Sequence, residues 1–463
     1  MAVFWHRRDL RPADNVGLAA AAADTPAVPV FVFDDAVLAH ASPNRVAFLL
    51  DALDALREAY RERGGDLLVR RGDPSEELPA VAATHDADAV HWNDDHSGLA
   101  RERDAAVRGS LHEAGVETRV HDDLLLVPPG DVLTNAGTPY QVFAPFYRTW
   151  REQPVDAPVP APDRLAGADD ESLPTLDALG FEMPAAERLD AGHAAGRARL
   201  EAFCDGPIYD YADDRDYPAR AGTSRLSAHL TFGTVGIRTV WAATEAAHET
   251  APDADAADSV REYQRQLAWR EFYVDKLAAE PAMVAENHVD FERPIAWRND
   301  PEELAAWRAG ETGFPFVDAG MRQLRAEGWL PNRLRMVTAS FLTKDLLVDW
   351  RRGYAHFRRH LVDHDPAADA GGWQWAASTG FDAQPYFRVF NPTTQGERFD
   401  PDAGYIRAHV PELAEADPEQ IHAWPDLEPA RREDAAPGYP APIVDHAERR
   451  ERAIAAFERA RGD

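Results

Sequence analysis

Ala2-Val3-Phe4-Trp5-His6-Arg7-Arg8-Asp9-Leu10-Arg11 opens the chain with four apolar residues that run straight into charge. A short apolar run bounded in this way reads as a buried strand. Similar runs follow over 28–33, 67–69, 89–92 and 116–120. The stretches between them carry apolar residues at helical spacing, as in Val46, Leu49, Leu50, Leu53 and Leu56. Short buried strands separated by helices fold as a mainly parallel, doubly wound sheet. No Gly-x-Gly-x-x-Gly follows the first strand, so a standard dinucleotide grip is not indicated there. Ligands of such sheets gather at the carboxyl ends of strands, which singles out the loops 6–11 and 93–96.

Outward from this core the pattern changes. Residues 153–190 are rich in Pro, Asp and Ala, with Pro154, Pro158, Pro160 and Pro162 close together, the composition of a connector crossing the surface. From Ala194 helical patterns dominate. At 463 residues the chain is too long for one ordinary core. The expected fold class is α/β: an N-terminal doubly wound parallel-sheet domain over 1–130, a connector over 131–193, and a larger all-helical C-terminal domain over 194–463. No apolar run is long enough to span a bilayer, and the N-terminus lacks the apolar core of a secretory signal, so a cytoplasmic protein with no membrane contact is expected. Cys204 is the only cysteine. It excludes an intramolecular disulfide and a thiolate metal cluster, and reads as a small buried hydrophobe.

The formal net charge is −31, which by itself argues against a polyanionic partner. The cations are unusual as well: Lys276 and Lys344 are the only lysines, and every other cation is arginine. An acidic surface depleted of lysine is the halophilic pattern of near-saturated salt, where the Debye length is about 3 Å or less. Local charge therefore carries more weight than the total. Between Arg322 and Arg359 nine cations face three carboxylates. Such an island reads either as a phosphate-facing surface or as arginine serving buried ion pairs.

Other segments point to ligands, each with an ordinary structural alternative. Gly222-Thr223-Ser224-Arg225-Leu226-Ser227 suits phosphate binding through hydroxyls and helix N-terminal amides, or a simple N-cap. Gln266, Trp269 and Tyr273 share a helix face with Arg270 beside it, which fits a stacked base or a packed core. Asp363 and Asp365 are too few for a metal site and fit better as caps or as partners of arginine, so no metal is expected.

Three longer motifs narrow this. Trp329-Leu330-Pro331-Asn332-Arg333-Leu334-Arg335-Met336, Lys344-Asp345-Leu346-Leu347-Val348-Asp349-Trp350-Arg351 and Gly371-Gly372-Trp373-Gln374-Trp375-Ala376-Ala377-Ser378-Thr379-Gly380 resemble the photolyase/cryptochrome family. Within it they are closest to the class I cyclobutane pyrimidine dimer photolyases, and the likeness runs from His6 to Asp445. The resemblance implies FAD in the helical domain, with Tyr211, Thr223, Ser224, Arg225, Leu226, Ser227, Arg270, Arg335, Asp363 and Asp365 at its contacts. It implies UV-damaged DNA as substrate, repaired by an electron from excited reduced FAD to a flipped-out dimer, with no obligate protein partner. Trp269 and Trp375 match the aromatic clamp on the dimer, with Asn332 and Met336 nearby. Arg215, Arg333 and Gln395 match contacts to the DNA strand. Trp297, Trp350 and Trp373 match the family's electron-transfer chain. Asn93-Asp94-Asp95 and the run from Ser42 to Phe48 resemble the deazaflavin-binding type of antenna site, with Arg45 and Asp95 as contacts. Leu99 and Ala100 stand where folate-binding members have polar ligands, which favours an 8-hydroxy-deazaflavin antenna over folate.

Three positions depart from the dimer-repair pattern. Gln266 stands where many members have a Glu that hydrogen-bonds the dimer, and an amide lends no negative charge. Pro331 replaces a common His. Asp369 stands where photolyases commonly have Asn beside the flavin, and resembles plant cryptochromes, in which a carboxyl hands a proton to the flavin. The alternative function is therefore a blue-light cryptochrome-type photoreceptor.

Overall fold

The computed structural model describes residues 1–167 and 172–462. Residues 168–171 of the expected connector and Asp463 of the expected helical domain lie outside the described residues.

Five parallel strands, β1 (Ala2–His6), β2 (Ala27–Phe33), β3 (Leu68–Arg71), β4 (Ala89–Asn93) and β5 (Glu117–His121), form one sheet in the order β3-β2-β1-β4-β5. Each lies within two residues of its expected apolar run. Val3 of β1 pairs with Val28 on one side and Val90 on the other. Helices cover both faces, so β1, β2 and β4 are buried along their whole length. The edge strand β5 has only exposed and half-buried residues. The chain order reverses between β1 and β4, and the loops after those two strands flank that switch point.

The remainder is helical, as expected. Its spine is the helix Ala254–Ala279, capped by Asp253, whose carboxylate accepts from the Ala256 amide. Pro366–Ala377 packs against it, and Asn332–Ser340 and Trp350–His360 pack in turn on Pro366–Ala377, around one large apolar core.

The region expected as a connector over 131–193 is not uniform. Residues Phe143–Trp150 form a helix whose Phe143, Phe146 and Trp150 are buried in the helical core. Glu271 of the spine binds this segment, accepting from the amides of Leu126 (2.6 Å) and Val127 (3.2 Å) and from the Trp150 indole (2.6 Å). The later part returns to the sheet, where Ala27 and Leu165 form a parallel bridge.

Buried charge joins the sheet to the helices. Arg11, 4 % exposed, donates to the carbonyls of Asp14 and Gly233 and pairs with Asp123. Arg238 reaches the same Asp123 at 3.2 Å. Both lysines are buried. Lys344 Nζ donates to Ser378 Oγ (2.7 Å) and lies 3.8 Å from the Phe457 ring centroid. Lys276 pairs with Asp275 at 3.2 Å. Cys204 is half-buried, and burial pushes its thiol up to about 11.

Replacing Arg11 with Met strips a cation from buried Asp123 and a donor from two carbonyls. Breaking such a pair from one side costs about 3–5 kcal/mol. Urea unfolding of Arg11→Met in molar salt is expected to show a loss of that size.

Candidate active site

A cavity of about 690 Å³ opens between the segment 211–227, the spine helix and the helices that carry Asn332 and Asp369. Its lining brings together Tyr211, Arg215, Thr223, Ser224, Arg225, Leu226, Ser227, Gln266, Trp269, Arg270, Asn332, Arg335, Met336, Asp363, Asp365, Asp369, Trp373 and Trp375. Trp297, Trp350, Arg333, Gln395, Arg45 and Asp95 are not part of that wall.

The hydroxyl-bearing wall is held from outside. Ser224 Oγ accepts from the Tyr263 phenol (3.1 Å), and Ser227 Oγ from the Trp329 indole (3.2 Å). The following helix, Ser227–Thr231, has no side-chain cap, so these hydroxyls are not used as one. Arg225 takes a left-handed backbone, φ 50°, which places its guanidinium over Trp329 at 4.2 Å and against Glu327 at 2.8 Å.

The opposite wall carries interlocked charges. Arg335 donates to Asp363 (2.6 Å) and Asp369 (3.3 Å). Although burial disfavours its charge, these two carboxylates hold it above the usual arginine value. The second oxygen of Asp363, a residue of the cavity lining, is buried with no hydrogen-bond partner. Asp365 caps Pro366–Ala377 through the amides of Ala367 and Ala368, and takes Arg8 from the loop after β1 at 2.5 Å. Burial opposes its ionisation, but Arg8 and Arg270 hold it below the usual carboxylate range. Both aspartates thus serve as arginine partners or caps, and among the described residues no cluster of three or more His, Cys, Asp or Glu could hold a metal ion. Asp369 is shared, since its other oxygen accepts from His364 Nδ1 at 2.6 Å.

Aromatic rings stand at the mouth. Trp269 is stacked on Phe143 with centroids 3.7 Å apart and planes at 10°, so one indole face is taken by the connector helix. Trp375 lines the same cavity from Pro366–Ala377. Gln266 Nε2 donates to Glu262 Oε1 (2.7 Å), which also takes Arg215 (2.6 Å). Asn332 touches Met336 Sδ at 3.5 Å. Arg333 pairs with Asp216 and reaches Gln395 at 3.5 Å, so these two expected DNA contacts sit together outside the cavity wall.

The three expected electron-transfer tryptophans run outward. Trp373 lines the cavity, Trp350 is fully buried with its N–H on Asn287 (2.9 Å), and Trp297 is half-buried against Phe457. Gly353, one turn after Trp350, lies so close to Trp373 that a Cβ there would meet the ring at 2.1 Å.

The two expected antenna contacts have different partners. Arg45 donates to the carbonyls of Arg358, Leu361 and His40, and burial with the nearby Arg358 brings its guanidinium down to about 10. Asp95 faces Arg8 at 3.9 Å in the crevice at the switch point, a space of about 20 Å³.

The cationic island is not one surface. Arg322, Arg333, Arg335 and Arg351 are in ion pairs, and Lys344 is buried. Of the two readings of that island, ion pairing accounts for the four arginines, and Lys344 is withdrawn into the core. Sequence reasoning missed Phe143, read as connector, although its alternation with Phe146 and Trp150 has helical spacing. It also missed Glu262, four residues before Gln266 and so on the same helix face.

Two family descriptions match the chain, "DNA photolyase" over residues 2–163 and "FAD binding domain of DNA photolyase" over 263–459. A deoxyribodipyrimidine photo-lyase of Halobacterium salinarum is 57 % identical over the whole of both chains. A class III photolyase from Agrobacterium tumefaciens superposes with a TM-score of 0.91 at 34 % identity, covering 100 % of this chain and 98 % of that one. A Synechocystis cryptochrome follows at 0.90 and 25 % identity, covering 98 % and 99 %. The chain belongs to the DNA photolyase family.

Adding a methyl at Gly353 must displace Trp373 or its helix. Overpacking of this kind costs about 1–3 kcal/mol. Gly353→Ala is expected to lower the urea midpoint accordingly and to reduce bound flavin per chain.

Proposed function

We propose that this chain splits cyclobutane pyrimidine dimers in DNA under blue light, as a flavin-dependent carbon–carbon lyase. One observation carries the reading: a single cavity has a hydroxyl wall and a charged wall suited to a dinucleotide cofactor, and two indoles, Trp269 and Trp375, at its mouth. Bound FAD supplies the chemistry, a single electron lent to the dimer on excitation and recovered after the ring opens. The residues present fit that cofactor. Asp363 offers a buried oxygen with no protein partner, and Asp365 is already charged, so both can accept from hydroxyl or ring N–H donors. Thr223, Ser224 and Ser227 offer hydroxyls to the phosphates, with Tyr211 and Leu226 beside them. Arg335 and Arg270 favour negative charge on the ring system.

The substrate role falls to the mouth. Reaching the cavity requires flipping the dimer out of the duplex, a step that photolyases share with other enzymes acting on a stacked base. Trp269, stiffened by Phe143, and Trp375 would stack on the dimer, while Asn332 and Met336 complete the pocket. Arg215, Arg333 and Gln395 would hold the strand. Trp373, Trp350 and Trp297 would pass electrons inward, a direction supported by the exposure of Trp297 at one end and the cavity position of Trp373 at the other. The antenna is read as 8-hydroxy-deazaflavin in the sheet domain near Asp95 and Arg45, supported by the loop resemblance and by the apolar pair Leu99 and Ala100. Among the described residues no helix is long and apolar enough to cross a membrane; a DNA substrate supports a cytoplasmic site of action.

Asp369 favours a second reading, a cryptochrome-type photoreceptor, because its carboxylate joins His364 and Arg335 on the cavity wall. Retention of both mouth indoles supports repair over sensing. Purified protein, reductant and a thymine-dimer oligonucleotide under blue light should show light-dependent loss of dimers, and no loss would promote the sensor. On the same protein, Asp369→Asn is expected to change how the illuminated absorption spectrum depends on pH. Superimposable spectra of the two proteins from about pH 5 to 9, a window that spans imidazole titration, would remove Asp369 from proton handling.

A further inference from the structure

Gln266 and Glu262 lie one helical turn apart on the spine, and both line the cavity mouth. A primary amide has two ends of opposite character: its oxygen accepts and its nitrogen donates. Rotation about the last side-chain bond exchanges them, so a lone glutamine presents either end to a ligand. Here the ambiguity is removed. Glu262 is a carboxylate and only accepts, so the 2.7 Å contact is made by the amide nitrogen. The amide oxygen is then the free acceptor. Glu262 is itself fixed, by Arg215 at 2.6 Å and Arg265 at 3.4 Å.

We infer that Glu262 is a positioning residue that turns Gln266 into an acceptor aimed at the ligand, and so selects bases bearing an imide N–H. The inference rests on the reading that a flipped dimer enters this mouth. Thymine and uracil carry a donor at N3 between two carbonyls, whereas cytosine carries an acceptor there. An oriented amide oxygen therefore matches pyrimidine-diones and opposes 4-amino pyrimidines. In this chain a neighbour one turn away supplies the orientation that a carboxylate at position 266 would not need.

The rival account makes Glu262 a surface ion-pair partner of Arg215 and Arg265. The two accounts predict effects of opposite sign. Removing a carboxylate from a DNA-facing mouth raises affinity for any DNA, because phosphates are repelled less. Loss of the orienting bond lowers affinity for the dimer alone.

The test measures binding of the flavin-loaded protein to an oligonucleotide with one thymine dimer and to its undamaged twin. Glu262→Leu, which removes the acceptor altogether, is expected to weaken dimer binding about five- to tenfold, the scale of one misdirected hydrogen bond, with undamaged DNA bound equally or more tightly. Glu262→Asp keeps the charge but withdraws the oxygen, and should lose dimer preference to a similar degree. Gln266→Glu in the Glu262→Leu background restores an acceptor directly and should recover it. Dimer and undamaged affinities that rise or fall together in both single variants would overturn the inference. A wild-type protein with no preference for the dimer would instead overturn the reading of the site, and this inference with it.

Discussion

Asp365 is the carboxylate on which the two halves of the molecule meet. One oxygen caps the helix that carries Asp369, Trp373 and Trp375, and the other takes Arg8 from the sheet. Arg270 of the spine stabilises the same charge. A buried carboxylate left uncompensated is strongly unfavourable, so these three elements have one arrangement that satisfies it. The cavity is the space they leave. Arg11 and Arg238 on Asp123 repeat the device a short way along the same junction. The fold thus buries a few of its cations, Arg11 and Arg238 among them, against carboxylates.

That placement explains why the charge pattern was a poor guide to surface. Arginine suits buried pairs because its planar fork meets a carboxylate at two points and sheds water readily. In a chain of net −31, a run of arginines looks like a binding face, yet several of those between 322 and 359 are consumed by Asp216, Asp363, Asp349 and Glu412. Local sequence counts charges. Only the fold reveals which of them already have partners.

The strands were legible as short bounded apolar runs, and the helical remainder and the shared face of Gln266, Trp269 and Tyr273 through a repeat of 3.6 residues. The cavity wall was legible through motif likeness, and its members do converge in space. What escaped depends on contacts remote in sequence. Phe143 is stacked on Trp269, far along the chain, and the helical spacing of Phe143, Phe146 and Trp150 is only a slight local sign that this stretch ahead of the Pro-rich run harbours core. Arg45, expected as an antenna contact, also donates to carbonyls at the end of Trp350–His360. Open carbonyls at a helix C-terminus attract a cation, and that attraction cannot be read from Arg45 itself. The link from Glu262 to Gln266 was within reach of helical spacing, since only four residues separate them.

The burial of both lysines leaves the surface without a side-chain primary amine. Lys276 and Lys344 are each 1 % exposed. Acylating reagents, aldehyde fixatives and enzymes that conjugate or acetylate lysine would find no side chain to modify on the folded protein. Attachment to a solid support would have to go through other groups, of which the abundant carboxylates are the obvious choice.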